Sequence, residues 1–289
     1  MNIHPSTSLL HPPLPLGAVE ERWAVLDGHR MRYLHAGRGR PLLLIHGLLG
    51  YSFSWRFNLT ELGRHFSVYA PDLMGLGFSD RPAIPCSLRE TTGLVQRFLD
   101  EAGIANFDLL GTSYGGAVAL RLASLEPARI SRLILSAPAN PWSPRGKWLS
   151  VLLSRAPFRY AVPSICASEW LRQWQLNHVY ADPQRIAEGT LDGYVAAINV
   201  PGTAEHVARL LRTWNQDLRE LRTLLPRVAE IPTLLIWGSD DQIVPQTSIA
   251  PLRACLRNSE LIMLEGAGHV PYEEVPEDFN RAVIAFLTR

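Results

Sequence analysis

The strongest constraint on this chain is a recurring pattern of short, unbroken apolar runs set between helix-length segments. Pro41–His46 (PLLLIH) is stopped by Gly47, and Ser67–Ala70, Phe107–Leu110, Arg132–Leu135, Thr233–Trp237 and Leu261–Leu264 repeat the pattern. Runs without polar alternation suit strands covered on both faces. Helix signals lie between them. Ser87-Leu88-Arg89-Glu90 reads as a capping box, after which Leu88, Val95, Phe98, Leu99 and Ala102 share one helical face. Tyr114–Glu126 reads as a second helix, and Pro276–Leu287 as a third with Phe279, Val283 and Phe286 on one stripe. Strands alternating with helices need crossover connections, so the expected class is α/β, a doubly wound, mainly parallel sheet. Only the start differs: Trp23–Leu26 and Met31–His35 flank Asp27-Gly28, a hairpin turn dipeptide.

The alternation lapses between Ala139 and Ala229. That stretch has helical periodicity without a convincing strand, and Pro141, Pro144, Pro157, Pro163, Pro183, Pro201 and Pro226 punctuate it. It holds Trp142, Trp148, Trp170, Trp174 and Trp214, five of the chain's eight tryptophans. The expectation is a mostly helical cap over one end of the sheet, with an apolar-lined cavity beneath it. The core domain would then occupy residues 17–138 and 230–289, with the cap over 139–229.

Composition narrows the partners. Of 289 residues 47% are apolar and 19% charged, the balance of an ordinary globular chain with a sizeable core. Twenty-eight basic against 27 acidic residues give a net charge of +1 and no basic run, which argues against a dedicated nucleic-acid binder. Cys86, Cys166 and Cys255 lie far apart with no CxxC pair, so neither a disulfide framework nor a metal site is expected. Met1–Gly17 has no basic region, no apolar core and four prolines, unlike a secretory signal. No stretch reaches the roughly 18 apolar residues of a membrane span, so stable membrane insertion is not expected and the default location is cytoplasmic. The apolar segment Trp148–Leu153 is the one hint of action at a lipid surface, and the reading preferred for it is a buried cap helix.

Gly111-Thr112-Ser113-Tyr114-Gly115 fits G-x-S-x-G. The pattern alone is weak, because glycine near 7% of residues yields it by chance in roughly one chain of this size in ten. Its context is specific: the run Phe107–Leu110 precedes it and an Ala/Leu-rich helix follows, as a strand–nucleophile–helix turn requires. The flanking glycines leave room where backbone segments crowd the turn, and the helix N-terminus below Ser113 favours developing negative charge. A serine hydroxyl needs a base to become a nucleophile. His269 follows an apolar strand within Gly266-Ala267-Gly268-His269, a small-residue loop that lets an imidazole reach inward. An orienting acid would stand after the strand Thr233–Trp237, where Asp240 and Asp241 compete. At the other common place for such an acid, Ser136 to Asn140, there is no carboxylate. Oxyanion donors are expected from the amides of Tyr114, beside the nucleophile, and Leu48, in His46-Gly47-Leu48-Leu49-Gly50.

From Trp23 to Arg289 the chain resembles the α/β-hydrolase superfamily, in its cap-bearing, serine esterase-like branch. The likeness rests on His46–Gly50, Asp72–Asp80 (DLMGLGFSD), Gly111–Gly116, Trp237–Pro245 (WGSDDQIVP) and Gly266–Pro271. It implies an α/β-hydrolase fold with a helical cap over 139–229, and Asp241 as the acid beside Ser113 and His269. It assigns no catalytic role to Asp72–Asp80. The expected activity is cofactor-free, metal-free hydrolysis of small to medium carboxylic esters, with a small-molecule substrate and an oligomeric state left open. Carbon–carbon bond hydrolases, lactonases, amidases and perhydrolases share these positions. Dehalogenases and epoxide hydrolases of this fold use an aspartate nucleophile, against which Ser113 stands. A small-molecule receptor with the same fold and slow turnover is the reading from another class.

Overall fold

The computed structural model describes residues 19–143 and 168–289; the expectations placed on Met1–Gly17, Trp148–Leu153 and Cys166 lie outside the described residues. One eight-stranded sheet runs in the order β1-β2-β4-β3-β5-β6-β7-β8. The strands are β1 (Val19–Leu26), β2 (His29–Ala36), β3 (Pro41–Ile45), β4 (Ser67–Pro71), β5 (Phe107–Thr112), β6 (Ile130–Ser136), β7 (Thr233–Gly238) and β8 (Ser259–Leu264). β1 and β2 pair antiparallel, as do β2 and β4; β3 to β8 continue the sheet in parallel. The β1–β2 turn forms at Asp27-Gly28, with φ of 50° and 82°, the left-handed pair that a tight hairpin needs.

Burial on both faces explains why the sequence runs are unbroken. Side chains alternate across a strand. In β3, Leu43 and Ile45 join the layer holding Phe98, Val118 and Leu221, while Leu42 and Leu44 join the layer holding Trp55, Phe279 and Phe286. Each such leucine contributes about 1.5–3 kcal/mol by leaving water, so neither face accepts a polar residue cheaply.

Among the described residues the helices are α1 (Leu59–Gly63), α2 (Leu88–Glu101), α3 (Ser113–Leu125), α4 (Glu169–Val179), α5 (Thr190–Ile198), α6 (Thr203–Leu224), α7 (Ile249–Cys255), α8 (Pro271–Glu274) and α9 (Pro276–Leu287). α2 starts where the capping signal places it, with Ser87 Oγ accepting from the Glu90 N–H at 3.2 Å. Residues of α2, α3 and α6 cover one face of the sheet, and residues of α1 and α9 cover the other.

The described helices between β6 and β7 pack in two ways. α6 buries Val207, Leu210, Trp214, Leu218 and Leu221. Asp217 accepts from the Leu88 N–H at 3.2 Å, and Glu220 pairs with Arg121 of α3 at 2.9 Å. α6 therefore packs as the crossover helix of the β6–β7 unit. α4 and α5 instead stand over the C-terminal ends of the parallel strands, where both wall a cavity. No helix among the described residues is long and apolar enough to cross a membrane, and Cys86 and Cys255 are free thiols.

Candidate active site

β5 delivers Ser113 in a strained turn. Its φ is 51°, in the left-handed region that non-glycine residues rarely occupy, and it opens α3. Close approach of neighbouring backbone forces the turn. A Cβ on Gly115 would stand 2.3 Å from the Ile45 carbonyl oxygen, and one on Gly111 would stand 2.4 Å from the Gly115 carbonyl oxygen. Strain of this kind costs on the order of 1–3 kcal/mol and persists where the surroundings over-determine it. Ser113→Gly is accordingly expected to raise stability by about 1 kcal/mol, read as a higher denaturation midpoint at unchanged slope; a lower midpoint contradicts the strain.

β7 and β8 deliver the other two groups. Asp241 follows β7 and His269 follows β8, and His269 Nδ1 lies 2.9 Å from Asp241 Oδ2, with both side chains buried. The second oxygen, Asp241 Oδ1, accepts from the Ile243 and Val244 N–H groups at 2.7 and 3.0 Å, which fixes the carboxylate. Asp240, which is exposed, points elsewhere, accepting from the Ser239 hydroxyl at 2.9 Å. The structure thus brings Asp241, and not Asp240, to the imidazole. Acid loop and histidine loop are stitched together: the Asp240 N–H donates to Ala267 at 2.9 Å and the Gly266 N–H to Ser239 Oγ at 2.8 Å.

The loop after β3 closes the site. Ile45 and Gly111 are paired in the sheet, so Gly47 and Ser113 each stand two residues beyond the same rung. A Cβ on Gly47 would lie 3.3 Å from Ser113 Cβ. Gly50 N–H donates to the Gly47 carbonyl at 3.1 Å, bending Leu48 and Leu49 into the cavity wall. Tyr114 is the second residue of α3, so its N–H has no acceptor within the helix. Buried His46 braces this loop: Nδ1 donates to the Gly47 carbonyl at 2.8 Å and Nε2 accepts from the Leu73 N–H at 2.9 Å. Burial lowers its pKa and keeps it neutral. Asp72 is a brace as well, accepting from the Ser52 and Phe78 N–H groups at 2.8 and 2.9 Å and from Arg32 at 3.2 Å.

Ser113 and His269 line one cavity of about 120 Å³. Its apolar wall is aliphatic, built by Leu48, Leu49, Leu176, Leu191, Val195 and Ile198. No tryptophan among the described residues lines it: Trp214 packs on Tyr114 with ring centroids 5.6 Å apart, and Trp170 and Trp174 are exposed, while Trp148 lies outside the described residues.

One part of the site gave no signal in the sequence. At the cavity wall Glu273 meets Arg56 at 2.6 Å, with both side chains essentially inaccessible. Tyr180 donates to the same carboxylate at 2.8 Å and Tyr194 donates to its other oxygen. Burial first, and the Glu273 charge second, raise both phenols, so they remain protonated donors. The Arg56 guanidinium also lies 4.2 Å from the Phe53 ring centre and 4.4 Å from that of Phe57.

A family model described as alpha/beta hydrolase fold matches residues 40–276. The chain belongs to this family. It is 29% identical over 269 residues to the dihydrolipoyllysine-residue acetyltransferase component of an acetoin cleaving system from Pseudomonas putida, covering 92% of this chain and 69% of that protein. It is 27% identical over 286 residues to haloalkane dehalogenase 2 of Mycobacterium tuberculosis, covering 94% and 96%. A solved structure described as a membrane phospholipase A, a bacterial virulence factor, superposes with a TM-score of 0.77 at 26% identity, covering 98% of this chain and 87% of that one.

Proposed function

We propose that this alpha/beta hydrolase is a serine hydrolase of carboxylic esters, acting on small neutral substrates through an acyl-enzyme. The observation that carries the reading is the Asp241–His269 pair at 2.9 Å, with His269 lining one cavity together with Ser113. His269 takes the Ser113 proton as Oγ attacks the acyl carbon. Asp241 holds the imidazole by Nδ1 and stabilises the imidazolium. The Leu48 and Tyr114 amides meet the oxyanion. His269 then protonates the leaving alcohol, and water, activated by the same imidazole, releases the acid.

Bond chemistry separates this reading from those suggested by some relatives. Displacing a halide with a serine oxygen would give an ether, which has no carbonyl for water to attack, and the enzyme would be consumed in one turnover. Attack on an acyl carbon gives an ester that the same site can hydrolyse. Serine at position 113 therefore favours acyl substrates.

Size and polarity of the cavity refine the substrate. A cavity of about 150 Å³ holds benzene, so a volume of about 120 Å³ favours a short acyl group over a long one. The phenols of Tyr180 and Tyr194 are both committed to Glu273, which leaves the aliphatic wall to meet the chain. A second reading has one specific support: Arg172 and Gln175 of α4 also line the cavity, and a guanidinium there suits a substrate bearing a carboxylate, as in the carbon–carbon bond hydrolysis of a diketo acid. A panel of p-nitrophenyl acetate, butyrate and octanoate, a lactone, a 2,6-diketo acid and a haloalkane decides. The expected result is butyrate as the best substrate, with kcat/KM on the order of 10⁴ M⁻¹s⁻¹ or more. Preference for the diketo acid selects the second reading, and halide release without ester turnover overturns both.

A further inference from the structure

The histidine loop is built from residues that do not hold themselves. Gly266-Ala267-Gly268 precedes His269, and Gly266 sits at φ 65°. Such a stretch has high intrinsic backbone freedom, yet a general base must be held to a fraction of an ångström. Asp241 fixes one ring nitrogen and leaves the loop backbone to other contacts.

Beyond the ties to Asp240 and Ser239 of the acid loop, those contacts come from Val179 at the end of α4 and the residues that follow it. The His269 N–H donates to the Val179 carbonyl at 2.7 Å. Gly268 packs so tightly there that a Cβ would stand 2.6 Å from both the Ala181 nitrogen and the Val179 oxygen. Glu274, whose side chain is inaccessible to solvent, spans the junction. Its Oε1 accepts from the Gly268 N–H at 2.7 Å and its Oε2 from the Ala181 N–H at 2.7 Å, with the Asp182 N–H at 3.4 Å. Arg185 adds an outer tie, donating to the Gly266 carbonyl at 2.9 Å and standing 3.9 Å from Glu274. A buried carboxylate is costly unless its oxygens are satisfied, and here one oxygen is assigned to the loop of His269 and the other to the backbone beneath α4.

We infer that Glu274 is a positioning residue: its carboxylate clamps the backbone of the histidine loop to the Val179–Asp182 segment, so that the seating of α4 over the cavity and the placement of His269 are one event. The inference rests on the reading of His269 as the base. Neither element can shift alone without breaking a backbone hydrogen bond to the other. Two carboxylate oxygens are needed, because an amide at this position turns an NH2 toward one of the two N–H donors.

Glu274→Gln and Glu274→Ala, with Arg185→Ala as a variant at the partly exposed outer tie, test it in the full chain. The readouts are the rate of fluorophosphonate labelling at Ser113, which needs the base but no particular ester, and hydrogen exchange. Labelling is expected to fall in Glu274→Gln by on the order of 10²-fold, since displacement by about 1 Å costs that much. Glu274→Ala should fall further, and Arg185→Ala by a few-fold. Amides in residues 179–185 and 264–270 should exchange faster together, while those in 107–113 keep their protection. A labelled wild type with unchanged labelling and exchange in Glu274→Gln overturns the positioning role alone. So does faster exchange throughout the chain, which marks a general loss of stability. A wild type that is not labelled at Ser113 overturns the base assignment and the positioning role with it.

Discussion

Ser113→Ala is expected to lower ester turnover on the order of 10³-fold or more and to abolish fluorophosphonate labelling, with the melting temperature held near that of the wild type. The loss is large because every covalent step of the proposed reaction passes through that oxygen. His269→Ala should lose a comparable factor, and the double variant little more than either single one, because the two act as a unit. Asp241→Asn removes the acceptor that stands 2.9 Å from Nδ1 and lets the imidazole adopt the wrong tautomer, so a fall of several hundred-fold or more is expected with KM little changed. Measured kcat and KM for the four variants, beside their thermal midpoints, check the set. Equal labelling of wild type and Ser113→Ala would place the nucleophile elsewhere.

Glu273→Leu should be the most destabilising single change at the cavity wall. Arg56 and Glu273 meet at 2.6 Å with no solvent access, and removing one partner of such a pair typically costs about 3–5 kcal/mol because the other charge stays buried. For a chain of this size the melting temperature then falls by roughly 10 °C. Tyr180 and Tyr194 lose their acceptor in the same step. Arg56→Met combined with Glu273→Leu removes both charges and should recover most of the loss, since well-packed apolar replacements of buried pairs are often neutral. Thermal unfolding of the two single variants and the double one measures the coupling. A double variant as unstable as the sum of the singles would show that packing, rather than the stranded charge, sets the cost.

The parts of this molecule that were legible in its sequence are those where a local pattern has a single structural cause. Unbroken runs such as Leu42-Leu43-Leu44-Ile45 and Leu234-Leu235-Ile236 arise because both faces of the central strands are dry, and the sheet follows from them. Ser113, Asp241 and His269 stand out in the sequence because each follows such a run and is flanked by small or turn-forming residues. The choice between Asp240 and Asp241 was different: spacing left it open, and the resemblance supplied it before the hydrogen bond did. Helical periodicity could not separate α6 from α4 and α5, since a crossover helix and a cap helix show the same apolar stripe. Nor could it reveal Arg56–Glu273 or the ties from Glu274 to Gly268 and Ala181, because the burial of a charge is decided by a partner elsewhere in the chain.

The rungs of the sheet have a consequence beyond holding the core. Ile45 sits opposite Gly111, and Gly238 opposite Leu264, a few residues before the four loops that carry the groups proposed to react. A slip of one rung between neighbouring strands would carry a loop about 3.3 Å along its axis and turn its side chains over. The fold therefore works as a vernier, in which alignment far down the strands sets the aim of atoms at their tips. Turnover becomes a gauge of that alignment, and a change deep in the hydrocarbon layers that leaves the chain folded can still register as lost activity at a distance.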